Sequence, residues 1–248
     1  MHERIDFMGL SIDRISMNEV LKRIELFVES EKPHRIVFLN ALKIVLANSD
    51  KELQEIINAS DLVLADGMSI VFSLRLLEGI QTERVPGVDL MQQAIELVEK
   101  NGYRLYFLGS TPEVVDRIVN IYRTKFPKLK IAGWHHGYFS ADEETGILRE
   151  IRKNRTDILF VAFGSPQKEK WIEKNYRDLH VPVCICVGGS FDVLSGERKR
   201  APRWIQKIGL EWFFRLIQEP RRLWWRYFKG GIIFVWLLTK EVARRYLV

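Results

Sequence analysis

Residues 61–70, Asp-Leu-Val-Leu-Ala-Asp-Gly-Met-Ser-Ile, put a carboxylate where open α/β sheets do their chemistry. The apolar run 62–65 is short enough for a buried strand. Asp66-Gly67 ends it, and an apolar helical pattern (Ile70, Val71, Leu74, Leu77) follows. Asp66 is then either a general base or the N-cap of the next helix, and this stretch alone favours the cap. Other turns that follow apolar runs carry Asn40, Gly109-Ser110-Thr111, His135-His136, Gly164-Ser165-Pro166 and Gly188-Gly189-Ser190. In a parallel sheet all of these fall on one edge, and Gly-rich turns beside helix N-termini suit a phosphorylated ligand. Arg84, within Glu83-Arg84-Val85-Pro86-Gly87, is placed either to balance a leaving diphosphate or to be a solvated loop charge.

Several chemistries fit poorly. No G-x-G-x-x-G follows an early strand and no G-x-x-x-x-G-K-[ST] occurs, which argues against a dinucleotide redox enzyme and a P-loop ATPase. There is no Asp-x-Asp to clamp a metal-bound diphosphate, and only one of the adjacent His135 and His136 is expected to face any given site. Neither a bound metal nor a cofactor is expected. No Ser or Cys sits in a nucleophile elbow.

These residues need strands to end beside them. Short apolar runs predict strands at 7–12, 35–39, 62–65, 103–108, 128–134, 158–163 and 183–187. Helical periodicity predicts helices at 17–29, 41–58, 89–100 and 167–176, with others opening at Pro112 and after Ser140 or Asp142. The alternation predicts an α/β fold, a Rossmann-like, mostly parallel sheet with helices on both faces. Cys184 and Cys186 are expected to be reduced core residues on opposite sides of their strand.

The charge is uneven. The chain of 248 residues carries +6, but residues 198–248 hold 13 Lys/Arg against 3 Asp/Glu, a local +10. The body, 1–197, is left at −4 and reads as one α/β catalytic domain. The remainder reads as a helical appendage, with an amphipathic helix over 201–219 stopped by Pro220. Trp204 and Trp212 fit a packed core or a lipid interface equally. Trp224 and Trp225, among Arg221, Arg222, Arg226 and Lys229, point to an anionic membrane surface rather than nucleic acid. No signal-peptide pattern opens the sequence, and no stretch reaches the roughly 20 apolar residues of a spanning helix, so a cytoplasmic, peripheral protein is expected. Oligomeric state is open, a homo-oligomer included.

Taken in order, Asn40, Asp66-Gly67, Glu83–Gly87, His136-Gly137-Tyr138-Phe139, Gly164-Ser165-Pro166 with Glu169, Gly188–Asp192, Arg200-Ala201-Pro202 and Gly209-Leu210-Glu211-Trp212 resemble the WecG/TagA/CpsF glycosyltransferases over nearly the whole chain. The resemblance implies an inverting, metal-independent enzyme on the inner face of the bacterial membrane. It would pass N-acetylmannosamine or a related sugar from UDP to a polyprenyl-diphosphate-linked sugar. Asp66 matches the family's proposed base, and Asn40 and Arg84 match residues around donor and acceptor. Gly188, Gly189, Ser190 and Asp192, with His136 and Tyr138, match the nucleotide pocket, which Gly109 adjoins. Arg215 and Arg222 match the basic appendage. Where the family has Lys-Gln-Glu this chain has Gln167-Lys168-Glu169. Either Gln167 substitutes from one residue away or Lys168 meets the diphosphate. The rival readings are a Rossmann-type epimerase, which would not need the tail, and a membrane scaffold, which would not need Asp66.

Overall fold

A computed structural model describes residues 3–30 and 32–246. An antiparallel hairpin comes first, β1 (Glu3–Phe7) and β2 (Leu10–Arg14). The sequence pattern had suggested one strand over 7–12. The chain instead turns at Met8 (φ 54°) and Gly9 (φ 77°), the left-handed pair that a two-residue hairpin loop requires. Both strands then send alternate residues, Ile5, Phe7, Leu10 and Ile12, into the core.

The main sheet contains β3 (His34–Leu39), β4 (Leu62–Ala65), β5 (Arg104–Gly109), β6 (Lys130–His135), β7 (Ile158–Ala162) and β8 (Val183–Ile185). Its order is β4-β3-β8-β7-β5-β6, and every neighbouring pair is parallel. The Rossmann-like α/β expectation therefore holds, and the carboxyl ends of all six strands share one rim. Crossovers run one way from β3 to β4 and the other way from β5 to β6, the arrangement that opens a crevice above a sheet.

Helices cover both faces. One face packs α1 (Met17–Glu29), α5 (Gly87–Asn101), α6 (Pro112–Lys125) and the short α9 (Ser190–Leu194) on Ile36, Leu62, Phe107, Phe160 and Ile185. The other packs the hairpin, α2 (Ala41–Ser49), α3 (Lys51–Asn58), α4 (Met68–Glu78), α7 (Ala141–Lys153) and α8 (Gln167–Leu179) on Val37, Val63, Tyr106, Val161 and Cys184. Cys184 and Cys186 are free and buried. Being two apart they share one face, not opposite faces as expected.

Two long helices suggested by periodicity are broken. Residues 41–58 divide at Asp50, whose extended backbone ends α2 and whose side chain accepts from Leu53 N–H to start α3. Residues 201–219 divide into α10 (Arg203–Lys207) and α11 (Glu211–Gln218) around Gly209 at φ 78°. Pro220 ends that segment but also begins α12 (Pro220–Tyr246), as the first-turn preference of proline allows. Helix α12 lies along α2. It buries Leu223, Phe234 and Leu237, and Gly230 backs onto Leu42. Among the described residues no helix is long and apolar enough to cross a membrane.

Candidate active site

Asp66 is the first residue beyond β4, and its N–H donates to Leu39 O at 2.9 Å, so strand pairing fixes where its side chain starts. It does not cap α4. The N-cap there is Gly67, with no side-chain hydrogen bond. Asp66 Oδ1 instead accepts from Gly87 N–H, the first residue of α5, at 3.2 Å. The residue is partly buried. Desolvation pushes its pKa up, against the opposing pull of the Arg84 guanidinium and the Gly87 N–H. A raised pKa strengthens a carboxylate as a proton acceptor.

Arg84 is held over this group. Its Nε donates to the backbone carbonyl of Asp66 at 2.6 Å and its Nη2 to Glu211 of α11 at 2.5 Å. The loop stays beside β4 because Val85 N–H donates to Ala65 O. Asn40 ends the neighbouring strand, in register with Asp66's own, since Leu39 pairs with Ala65. Its side-chain oxygen accepts from Lys43 N–H at 3.0 Å and so caps α2. A Cβ on Gly67 would lie 3.4 Å from that of Asn40, so the two strand ends nearly touch.

Beneath this rim lies a buried charged group. Lys43 Nζ pairs with Glu169 Oε1 at 2.6 Å, and Lys168 Nζ pairs with the same oxygen at 3.0 Å. Ser165 Oγ bonds to Lys168 and to Glu169. Burial alone would raise the Glu169 pKa, but the two lysines overcome it and hold the carboxyl at about 2. Burial and the neighbouring Lys43 push the Lys168 ammonium down. Lys168 thus points inward, while Gln167 is exposed at the start of α8.

The opposite wall is built from close backbone packing. A Cβ on Gly109 would sit 2.7 Å from the Ala162 backbone, and one on Gly137 would sit 2.9 Å from the Phe163 ring. Only glycine lets the turns after β5 and β6 approach β7 so closely. Gly137 N–H then donates to Ser110 O, placing half-buried His136 and exposed Tyr138 beside the Ser110 turn. Ser110 Oγ donates to Asp192 Oδ1 at 2.8 Å. Ser190 is turned inward, its hydroxyl donating to Val187 O. Gly188 adopts φ 55° above Lys168.

The tail meets this wall. Arg215 Nη2 lies 3.2 Å from the place a Cβ on Gly189 would occupy. Asp192 pairs with Arg198 at 2.8 Å, Arg198 with Glu219 at 2.6 Å, and Glu219 with Arg222. Arg215 therefore reaches the glycine turn directly, whereas exposed Arg222 is joined to it only through that chain. Sequence reasoning did not single out Lys43 or Arg198, and it named Glu211 only within the 209–212 motif. Lys43 could have been flagged as the lone cation in the apolar run 41–47, and Glu211 as a rare acid in a basic tail.

Among the described residues no three His, Cys, Asp or Glu side chains gather in a metal cage. The profile of the "Glycosyl transferase WecG/TagA/CpsF family" matches residues 5–247. Curated proteins from Staphylococcus aureus strains MW2 and NCTC 8325 / PS 47 are each 28% identical over 222 residues, covering 89% of this chain and 87% of theirs. A strain MRSA252 protein is 27% identical over the same span. All three bear the name N-acetylglucosaminyldiphosphoundecaprenol N-acetyl-beta-D-mannosaminyltransferase. With a parallel sheet that brings Asp66, Asn40 and Arg84 to one rim, and a family match across almost the whole sequence, the chain belongs to the WecG/TagA/CpsF family and is a glycosyltransferase.

Proposed function

We propose that this enzyme transfers N-acetylmannosamine from UDP to the sugar of a polyprenyl-diphosphate-linked acceptor, with inversion and without metal, in bacterial cell-surface polysaccharide or teichoic acid synthesis. The names of the relatives support the donor sugar and the lipid-linked acceptor. The Asp66 carboxyl group carries the mechanism: it stands at the rim, is desolvated, accepts from Gly87 N–H, and has Arg84 bonded to its own backbone carbonyl.

Asp66 takes the proton of an acceptor hydroxyl as that oxygen bonds to the anomeric carbon. The bond from this carbon to the UDP oxygen breaks, and UDP leaves with the electron pair. One displacement inverts the centre. Arg84 and Arg215 stand on either side to offset the charge gathering on the diphosphate, which fixed cations in a desolvated cleft do well. Asn40 orients the sugar beside the base. The exposed aromatics and cations of the tail hold the enzyme on the inner face of the membrane, where such an acceptor resides.

The test is release of UDP from UDP-N-acetylmannosamine in the presence of a short-chain lipid diphosphate bearing N-acetylglucosamine. Turnover that depends on the acceptor and persists in chelator supports the reading. Interconversion of UDP-sugars without acceptor, or no turnover with any UDP-sugar, overturns it.

A further inference from the structure

Apart from Leu26, Ile121 and Tyr138, the large apolar side chains exposed among the described residues lie on α4 and the tail. Phe72 and Leu76, one turn apart on α4, are 53% and 59% exposed. The bend between α10 and α11 rests on this helix: a Cβ on Gly209 would lie 3.0 Å from Met68 and 3.5 Å from the Phe72 ring. Gly209 is flanked by Ile208 and Leu210, both exposed, so the body and the tail share one apolar surface. Exposed Arg75, Arg203 and Lys207 accompany it. The neighbouring acids are already engaged, Glu211 by Arg84 and Glu78 by Arg245. Leu26 on α1 and Ile121 on α6, by contrast, are exposed singly.

Apolar side chains interleaved with uncompensated cations match an anionic bilayer. The former enter the acyl boundary and the latter meet headgroup phosphates. We propose that α4 of the catalytic body, through Phe72, Arg75 and Leu76, docks on the anionic lipid surface together with the tail. The proposal rests on the lipid-linked acceptor of the proposed function and adds a second point of attachment to it. Helix α4 begins two residues after Asp66. At 1.5 Å rise per residue, Phe72 lies roughly 6 Å along the axis from Met68, where α4 starts. Interfacial helices sink about 5–10 Å into the headgroup region. Seating α4 there keeps Asp66, two residues before the helix, near the surface that bears the sugar of a lipid diphosphate. Attachment by the tail alone would leave the tilt of the body unset.

The experiment is sedimentation of the full chain with vesicles of phosphatidylglycerol and phosphatidylcholine in about equal parts, comparing the wild-type protein with Phe72→Ser/Leu76→Ser and with Leu26→Ser/Ile121→Ser. The α4 pair is expected to weaken partitioning about tenfold. It should also raise KM for the lipid-linked acceptor while leaving UDP affinity and Tm unchanged. The control pair should bind as wild type does. Equal binding by wild type and the α4 variant overturns the inference and leaves the proposed function standing. Failure of the wild type to bind any vesicle overturns the lipid reading and this inference with it. If the α4 variant keeps its vesicle binding but loses self-association, the surface joins copies of the chain and the inference is wrong.

Discussion

Arg84 and Glu211 are 127 residues apart in sequence, and their side chains meet at 2.5 Å directly over the end of β4. One guanidinium thereby ties the loop above Asp66 to the first long helix of the tail. The pair also acts on Asp66 with opposite signs, Arg84 lowering its pKa and Glu211 raising it. Arg84→Met is therefore expected to move the acid limb of kcat/KM to higher pH, and Glu211→Gln to move it to lower pH. Profiles of residual activity against pH check both directions, and parallel shifts would contradict the assignment of Asp66 as base.

Asp66→Asn keeps an oxygen to accept from Gly87 N–H but cannot take a proton. Turnover is expected to fall about 10²–10⁴-fold, the usual contribution of a positioned base. UDP affinity by calorimetry and Tm should stay near wild type. Joint loss of folding and binding would instead mark Asp66 as a structural link between β4 and α5.

Glu169 makes acid stability a local property. Its carboxyl is held at about 2 against an ordinary 4.5, so unfolding takes up a proton anywhere between these values. The contribution is complete above pH ~4.5 and is lost as pH falls toward 2. Glu169→Gln leaves Lys43 and Lys168 buried without a counter-charge and is expected to cost about 3–5 kcal/mol. Denaturant titrations at neutral pH measure it. Replacing all three groups with apolar residues of similar size should recover most of that loss.

The tail was expected as an appendage beginning at residue 198. Its helix α12 buries Phe234 and Leu237 in the same cluster as α2 and β3. Phe234→Ala is expected to cost about 3 kcal/mol, as for other large-to-small core changes. Removing residues 197–248 should lower Tm and expose a dye-binding apolar face along α2. A truncated body that melts at the wild-type temperature would show α12 to be only loosely laid on.

The strands and the loops at their ends were legible because buried parallel strands are near-continuous apolar runs that stop abruptly at Asp66, Asn40, Gly109 and Gly188. The hairpin was not, since residues 7–12 are apolar enough to pass for one strand and only the φ values of Met8 and Gly9 reveal the turn. Asp50 was hidden for a related reason: a cap inside a continuing helical period leaves no composition change. The salt links Arg84–Glu211, Lys43–Glu169 and Arg198–Glu219 join separate elements. Periodicity reports which face a residue occupies, not what stands opposite it in the folded chain.

The six parallel strands hand their ends to a common rim through separate crossovers, and each loop there is pinned to a strand end, as Val85 is to Ala65 and Ser110 to Ala162. The loops are also bonded to one another, Gly137 to Ser110 and Ser110 to Asp192, so a change in one is felt by its neighbours. Preference for a different sugar would evolve by rewriting adjoining loops together, with the hydrophobic framework inherited unchanged.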